Sequence, residues 1–389
     1  MPYDTATDDW RNGGFGLYVH WPFCASKCPY CDFNSHVAAD VDHDRWLKAY
    51  RTEIARLGAQ TGPRVLDSIF FGGGTPSLMR PDVVAAVIDA ARAVWPFSNS
   101  IEITLEANPG SVEAGKFHDF GQAGVNRLSM GVQALNDDDL RRLGRLHSVA
   151  EARAAFDIAR KQFARVSFDL IYARQGQDRA AWRAELTEAL DMTVDHLSLY
   201  QLTIEDGTAF GARHAAGKLR DLPSDDLAAD MYLETQDICA AAGMGGYETS
   251  NHARPGAESR HNLIYWRQGD YAGVGPGAHG RLTLGGQRHA TETIRAPETW
   301  LDAVETQGTA ENLRDTLTPE DRATEYLLMS MRLAEGMRVS RYAAMGGAFD
   351  PAKLADLVGM GLVEEGEDLI RTTVSGRPVL NAILRELAL

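Results

Sequence analysis

The chain of 389 residues carries 54 acidic against 39 basic side chains, a formal net charge of −15. That sign excludes a general binder of phosphate backbones, whose nonspecific affinity comes from lysine and arginine, so no nucleic-acid partner is expected. A hydrophobic fraction of 44% with 24% charged residues fits one large globular domain plus a smaller one.

Residues 1–14 read as a flexible tail ending in Asn12-Gly13-Gly14, and the acidic start, Met1 to Asp9, lacks the apolar core of a secretory signal. Gly16-Leu-Tyr-Val-His20 reads as a strand that delivers the chain into a cysteine loop. Trp46, Leu47, Tyr50, Ile54 and Leu57 recur at helical spacing and predict a helix over His43–Leu57. Leu66 to Phe71 is a strand ending in Gly72-Gly73-Gly74, followed by a helix over Pro81–Val94. Ser100 to Leu105 is a strand ending at Glu106-Ala-Asn-Pro109, with a helix from Ser111, where Ser111 and Glu113 mark a cap region. Strands at Arg127–Met130, Arg165–Ile171 and His196–Gln201 follow, with helices Val149–Gln162 and Ala180–Met192 between them. Six strands each followed by a helix imply an α/β chain of parallel units with right-handed crossovers.

The alternation dissolves after Asp225–Ala242 and the chain becomes loop-rich, with many glycines, through Gly286. A new helical set begins near Pro319. A short hairpin is expected at Gly361–Arg371 and a last helix over Pro378–Leu387. These predict a small C-terminal α+β domain of winged-helix type over 309–389, after a larger domain and its loop-rich extension over 15–308. Glu364, Glu365, Glu367 and Asp368 in the hairpin argue against DNA binding there. No run approaches the ~18 apolar residues of a transmembrane helix, which leaves peripheral membrane contact open.

Cys24, Cys28 and Cys31 stand in Tyr18-Val-His-Trp-Pro-Phe-Cys-Ala-Ser-Lys-Cys-Pro-Tyr-Cys-Asp-Phe33. Their C-x3-C-x2-C spacing offers three thiolates to one soft metal centre and no fourth, whereas a ferredoxin cluster takes four cysteines and structural zinc takes four closed ligands. Three ligands on a cubane leave one iron open. A zinc loop completed from elsewhere, or thiols without metal, is the competing reading. Phe23, Tyr30 and Phe33 would shield such a cluster, and Cys239, in a helical run, reads as a small buried hydrophobe. Four cysteines, three of them clustered, also argue for a reducing, cytoplasmic compartment. In a parallel barrel, reacting groups gather at the C-terminal strand ends. The cysteine loop, Gly72 to Thr75, Glu106, Gln133, Asp169 and Gln201 to Thr203 all fall there.

The cysteine triplet, Gly72-Gly-Gly-Thr-Pro76, Arg127-Leu-Ser-Met-Gly-Val-Gln133 and Phe168-Asp-Leu-Ile-Tyr172 resemble the radical S-adenosylmethionine (radical SAM) proteins, in the branch containing oxygen-independent coproporphyrinogen III oxidase. The resemblance implies a partial (β/α)6, TIM-like barrel with a 4Fe-4S cluster on Cys24, Cys28 and Cys31 and SAM on the open iron. By position, Tyr18, Gly73 and Glu106 would contact that SAM. Gly74, Thr75, Gln133, Arg145, Asp169 and Thr203 match positions that bind a second SAM in the oxidase. His279, in a glycine-rich run, would line the barrel edge near SAM.

Three features depart from the oxidase: Phe33 stands where it keeps a fourth cysteine, the segment before the cluster is short, and Arg260-His-Asn-Leu-Ile-Tyr-Trp266 resembles the H-N-x-x-Y-W signature of HemW-type heme chaperones. A smaller one is Ala173-Arg174-Gln175, where relatives usually carry Gly-Leu-Pro. The signature makes His261 the candidate heme contact, with Tyr265 and Trp266 able to pack on a porphyrin face; the alternative is that His261 and Asn262 tie a loop to the barrel. The expected partners are heme, acceptor apo-hemoproteins and an electron donor. The oxidase reaction and a two-SAM C-methyltransferase are the alternative functions.

Overall fold

The computed structural model describes residues 8–388. Their main sheet has eleven strands: β1 (Phe15–Trp21), β2 (Leu66–Gly73), β3 (Phe97–Ala107), β4 (Arg127–Gln133), β5 (Arg165–Tyr172), β6 (His196–Gln201), β7 (Asn251–Ala253), β8 (Asp270–Val274), β9 (His279–Leu284), β10 (Gln287–Thr293) and β11 (Glu311–Thr316). Strands β1 to β6 lie side by side in sequence order and pair parallel, as the alternation predicts. The connecting helices begin where side chains replace missing backbone partners. Asp42 accepts from Arg45 N–H at the start of His43–Thr61, and Ser148 and Glu151 form a capping box before Val149–Gln162.

The strands alternate in chemistry. On one face of β1, Phe15, Leu17, Val19 and Trp21 are buried in a core with Trp46, Tyr50, Trp95 and Trp300. Trp46 stacks on Trp300 at 5.3 Å, and Phe15 meets the edge of Trp95 at 5.3 Å. The other face is polar and joined across strands. Arg127 Nη2 donates to Ser167 Oγ at 2.9 Å, Ser167 Oγ donates to Ser129 Oγ at 3.2 Å, and Arg165 Nη1 donates to Glu102 at 2.6 Å.

Several expectations need correction. The glycine-rich stretch after the helix Asp225–Ala241 is not simply loop: β8 pairs parallel with β1, and β9, β10 and β11 extend the sheet antiparallel from it. Strand β11 lies beyond the expected boundary at 308/309 yet belongs to this large sheet. The first seven residues of the expected tail lie outside the described residues. The remainder is anchored: Trp10 is buried and Asp9 pairs with Arg341 at 2.8 Å. Ser111 is the first helical residue after Gly110 and makes no cap bond, and the helix it begins is broken into Ser111–Ala114 and Phe117–Gln122. A second apolar cluster, from Ala323 to Leu387, includes Tyr326, Met337, Leu357 and Ile383, and the hairpin Val363–Glu365/Leu369–Thr372 pairs as expected.

Ala173 follows β5 with φ of 56°, in the left-handed region, where a side chain costs about 1–2 kcal/mol. Beside it, Arg174 is buried and ion-paired with Glu185 at 2.6 Å and Asp139 at 2.9 Å. Ala173→Gly is therefore expected to raise stability by about 0.5–1 kcal/mol, because relief of the φ strain outweighs the added freedom of the unfolded chain. Paired urea denaturation of the two proteins measures this, and an unchanged or lower midpoint contradicts it.

Candidate functional site

Strand β1 leads straight into the cysteine loop, and the loop is fastened to the glycine turn after β2. Gly74 N–H donates to Trp21 O at 2.7 Å and Thr75 N–H to Phe23 O at 2.8 Å. The contact leaves no room for side chains: a Cβ on Gly74 would sit 2.6 Å from Phe23 O, and Gly73 has φ of 111°. Cys24, Cys28 and Cys31 are free and partly exposed. Thr75 Oγ1 donates to Cys24 Sγ at 3.5 Å, Arg145 Nη1 donates to Cys28 Sγ at 3.3 Å, and Cys31 Sγ lies 3.9 Å from Ser35 Oγ. Burial pushes the Cys24 and Cys31 thiols up, with neighbouring cysteine charges adding to the effect.

These cysteines and Gly73, Gly74, Thr75, Glu106, Gln133, Arg145 and Asp169 line one cleft at the C-terminal ends of the strands. Glu106 accepts from Gly73 N–H at 3.3 Å. Burial, reinforced by Asp169, raises the Glu106 pKa to about 8, and burial raises that of Asp169 to about 6. Gln133 ends β4 with φ of 75°, a strained conformation for a residue with a side chain. Asn108, which the sequence reading passed over, ties the site together: it donates to Thr75 Oγ1 at 3.2 Å and accepts from Arg145, which also donates to Gly131 O at 2.7 Å. Its signal was legible in Glu106-Ala-Asn-Pro109, where an amide follows a strand end. Arg127 was also missed as a site residue. It sits buried between Thr104, Ser167 and Glu102, and its charge is felt by Glu106, Asp169 and His261.

Four expected residues lie outside this cleft lining. Tyr18 stands apart from it, with its hydroxyl 3.0 Å from His20 Nδ1 and its ring stacked on Phe70. Thr203 is exposed beyond β6, and His279 is exposed at the start of β9. His261 has the surroundings of the alternative reading, in which it ties its segment to the barrel. It lies on the helix Arg260–Trp266, 1% exposed, with Nδ1 2.7 Å from Ser68 Oγ and Nε2 2.7 Å from Tyr265 Oη. Burial pushes its pKa down to about 3, so the imidazole is neutral. With both nitrogens engaged, none is left for iron in this structure. Phe33 lines the cleft with the cysteines and is 59% exposed, while Phe23 is buried against Trp21 and Trp46.

The radical SAM superfamily matches residues 18–186. The heme chaperone HemW of Escherichia coli is 37% identical over 95% of this chain and 96% of its own length. A zebrafish protein, radical S-adenosyl methionine domain-containing protein 1, mitochondrial, is 41% identical over 82% of this chain and 73% of its own. The chain belongs to the HemW family of radical SAM proteins. Its fold is that of the solved coproporphyrinogen III oxidase HemN of Escherichia coli, with a TM-score of 0.81 at 24% identity, covering 97% of this chain and 92% of that one.

Membership of the HemW family implies a 4Fe-4S cluster and SAM, and the residues present fit that pair. Three free thiols open on one cleft, two with hydrogen-bond donors aimed at sulfur, and cationic iron would offset the burial that raises the Cys24 and Cys31 thiols. Among the described residues, no three His, Cys, Asp or Glu side chains are arranged for a single ion. A cubane takes each thiolate on a separate iron, so its ligands need not converge on one point.

His261→Ala would leave the buried Ser68 and Tyr265 hydroxyls unpaired, so a loss of about 2–4 kcal/mol of stability is expected. Chemical denaturation checks this, and a loss below 1 kcal/mol contradicts the structural role. The Glu106 carboxyl binds its proton more tightly in the fold than in the unfolded chain, whose value is 4.5. Its contribution is therefore present at low pH and lost as pH rises towards about 8, at up to about 1.4 kcal/mol per pH unit. Relative to Glu106→Gln, the ligand-free wild type should lose stability between pH 5 and pH 8, and a flat difference contradicts the buried proton.

Proposed function

We propose that this protein is a heme chaperone that binds heme and hands it to apo-hemoproteins, carrying a 4Fe-4S cluster and SAM as it does so. The observation that carries the reading is the end-to-end likeness, at 37% identity, to a protein named for that role. Cys24, Cys28 and Cys31 would hold the cluster, and Glu106 and Gly73 would line the place of SAM beside it. Bound there, cluster and SAM supply one-electron chemistry or a redox-sensitive structural centre.

The chain's own residues prepare that place. Glu106 and Asp169 give a deep acidic wall suited to the ammonium of an amino acid. Arg145 holds Cys28, Asn108 and the Gly131 carbonyl in one arrangement, so a change at the cluster loop is transmitted to the end of β4. Gly74, Thr75 and Gln133 complete the lining, while Tyr18, through His20, supports the loop from behind. Thr203 and His279 would contact bound SAM only at the rim or after rearrangement, and Tyr18 only from beneath the cleft. An electron donor and acceptor apo-hemoproteins are the proposed partners, and the cytoplasm is the proposed compartment.

Phe33 separates this reading from the oxidase, because the chain holds an exposed aromatic where the oxidase has a cysteine. After anaerobic reconstitution of the cluster, heme is titrated in and then offered to an apo-hemoprotein, and coproporphyrinogen III conversion is assayed in the same preparation. Saturable heme binding, transfer to the acceptor and no vinyl-bearing product are expected. Turnover of coproporphyrinogen without heme affinity would sink the chaperone reading.

A further inference from the structure

A cleft of about 600 Å³ lies at the seam between the barrel's edge and the C-terminal helices, lined by Gln201, Tyr232, Thr249, Arg332, Arg377 and Leu380 among others. Gln201 is the last residue of β6, so the cleft opens at the same end of the strands as the cysteine site. We propose that this seam is where the two propionate carboxylates of heme are held, by Arg332 and Arg377. The inference rests on the heme-binding function proposed above and gives it a location.

The charges decide the choice. A larger cleft, of about 860 Å³, lies under the barrel and is lined by Arg267, Arg338 and Arg341. Each of these is already matched, to Glu335 at 2.6 Å, Asp368 at 3.7 Å and Asp9 at 2.8 Å. In the seam, neither arginine pairs with a carboxylate among the described residues. Arg377 Nη1 donates to the Gly246 carbonyl at 3.3 Å, and Arg332 Nη1 donates to the Leu328 carbonyl one turn back. A half-buried guanidinium without an anion is an unfinished site, because it presents a planar fork of donors that fits a carboxylate.

The acids nearby are spoken for. Asp225 and Asp226 also line the cleft but are exposed in the first turn of the helix Asp225–Ala241, where they complement its dipole. Glu248, buried behind, accepts from Ser250 N–H at 3.1 Å and from Asn251 Nδ2 at 2.5 Å. The Thr249 Oγ1 atom is buried with no hydrogen-bond partner among the described residues, which leaves a further polar atom to satisfy. Tyr232, Pro378, Val379 and Leu380 add apolar wall, and Val379 is 44% exposed although apolar. Paired cations beside an apolar wall suit a flat amphipathic dicarboxylate, and the volume lies within the range of sites for such ligands. No imidazole lines this cleft, so the assignment concerns the carboxylates and not the iron.

The test uses the full chain with its cluster reconstituted and two probes, heme and heme dimethyl ester, whose propionates are uncharged. Binding is read by absorbance and by tryptophan quenching. Expected is a loss of about tenfold or more in heme affinity for Arg332→Gln/Arg377→Gln, and a comparable loss for the diester on the unaltered protein. The diester should bind the double variant and the wild type equally. Arg332→Lys/Arg377→Lys, which keeps the charges but not the planar forks, should bind heme with an affinity between those of the wild type and the double glutamine variant. The diester arm requires no substitution, so a poorly folding variant cannot hide the answer. Equal affinity for heme and diester on the wild type, or undiminished heme affinity in the double glutamine variant, overturns the seam assignment alone. A wild type that binds neither probe overturns the heme-chaperone function itself.

Discussion

The barrel is organised around one buried cation. Arg127 begins β4 with its guanidinium facing the lumen, 3% exposed, and a charge in that position costs several kcal/mol unless it is paired and hydrogen-bonded. Its neighbours meet that demand: Ser167 and Thr104 accept from it, and Glu102 lies at 4.0 Å while also binding Arg165. Strands buried on both faces in parallel sheets usually read as continuous apolar runs. Here Ile101-Glu102-Ile103-Thr104-Leu105-Glu106 alternates, because the inner face must serve an arginine below and a ligand above. Glu106 and Asp169 lie towards the cleft, where Arg127 compensates them only in part, and both are held above the usual carboxylate range. A cation arriving from the mouth would complete the balance.

The floor of this lumen is closed by the helix Arg260–Trp266, which gives the H-N-x-x-Y-W string a physical meaning. His261 and Tyr265 lie four residues apart on that helix, and His261 bridges Tyr265 to Ser68 on β2. Gly16 is required opposite, since a Cβ there would stand 2.9 Å from Ser68 Oγ and 3.3 Å from His261 Nδ1. Tyr18 stacks between this floor and the cleft, on Phe70 and His261. From Tyr18 the hydrogen bonds run through His20 to the Asn34 carbonyl of the cysteine loop. The signature therefore sits at the lumen's base, where both nitrogens of the histidine are hydrogen-bonded in this structure.

What could be read from the sequence follows local chemistry, and what could not follows long-range pairing. The six barrel strands, the capped helix Val149–Gln162 and the grouping of cysteines with Gly73, Thr75, Glu106 and Asp169 were legible because each carries its own periodicity or strand-end position. Cys239 is buried as read, its thiol pushed up to about 12. Strand β8 was illegible. It pairs with β1 some 250 residues earlier, and its glycines look like loop but exist for packing, since a Cβ on Gly273 would fall 2.1 Å from His279 O. The neighbours of His261 on β2 were illegible for the same reason. Thr203 was placed by position alone, and the chain leaves β6 before its side chain can reach the cleft lining.

The partial closure of the barrel gives the two clefts a common logic. A closed ring of eight strands would admit ligands only through its mouth. Here β6 is covered by β7 only at His196, Leu197 and Ser198, with one further backbone bond at Leu199, so among the described residues Tyr200 and Gln201 have no partner strand on that side. An edge of this kind invites unwanted pairing unless it is short or covered. The helix Asp225–Ala241 and the C-terminal residues Arg377 to Asn381 cover its flank without filling it, and the seam cleft is what remains. The sheet thus offers a small ligand a narrow polar site at the mouth and a broad flat ligand a lateral one, both served by the C-terminal end of one run of strands. In a chain whose proposed cargo is far wider than its cofactor, that separation lets the cluster site stay packed around SAM while the larger molecule comes and goes at the edge.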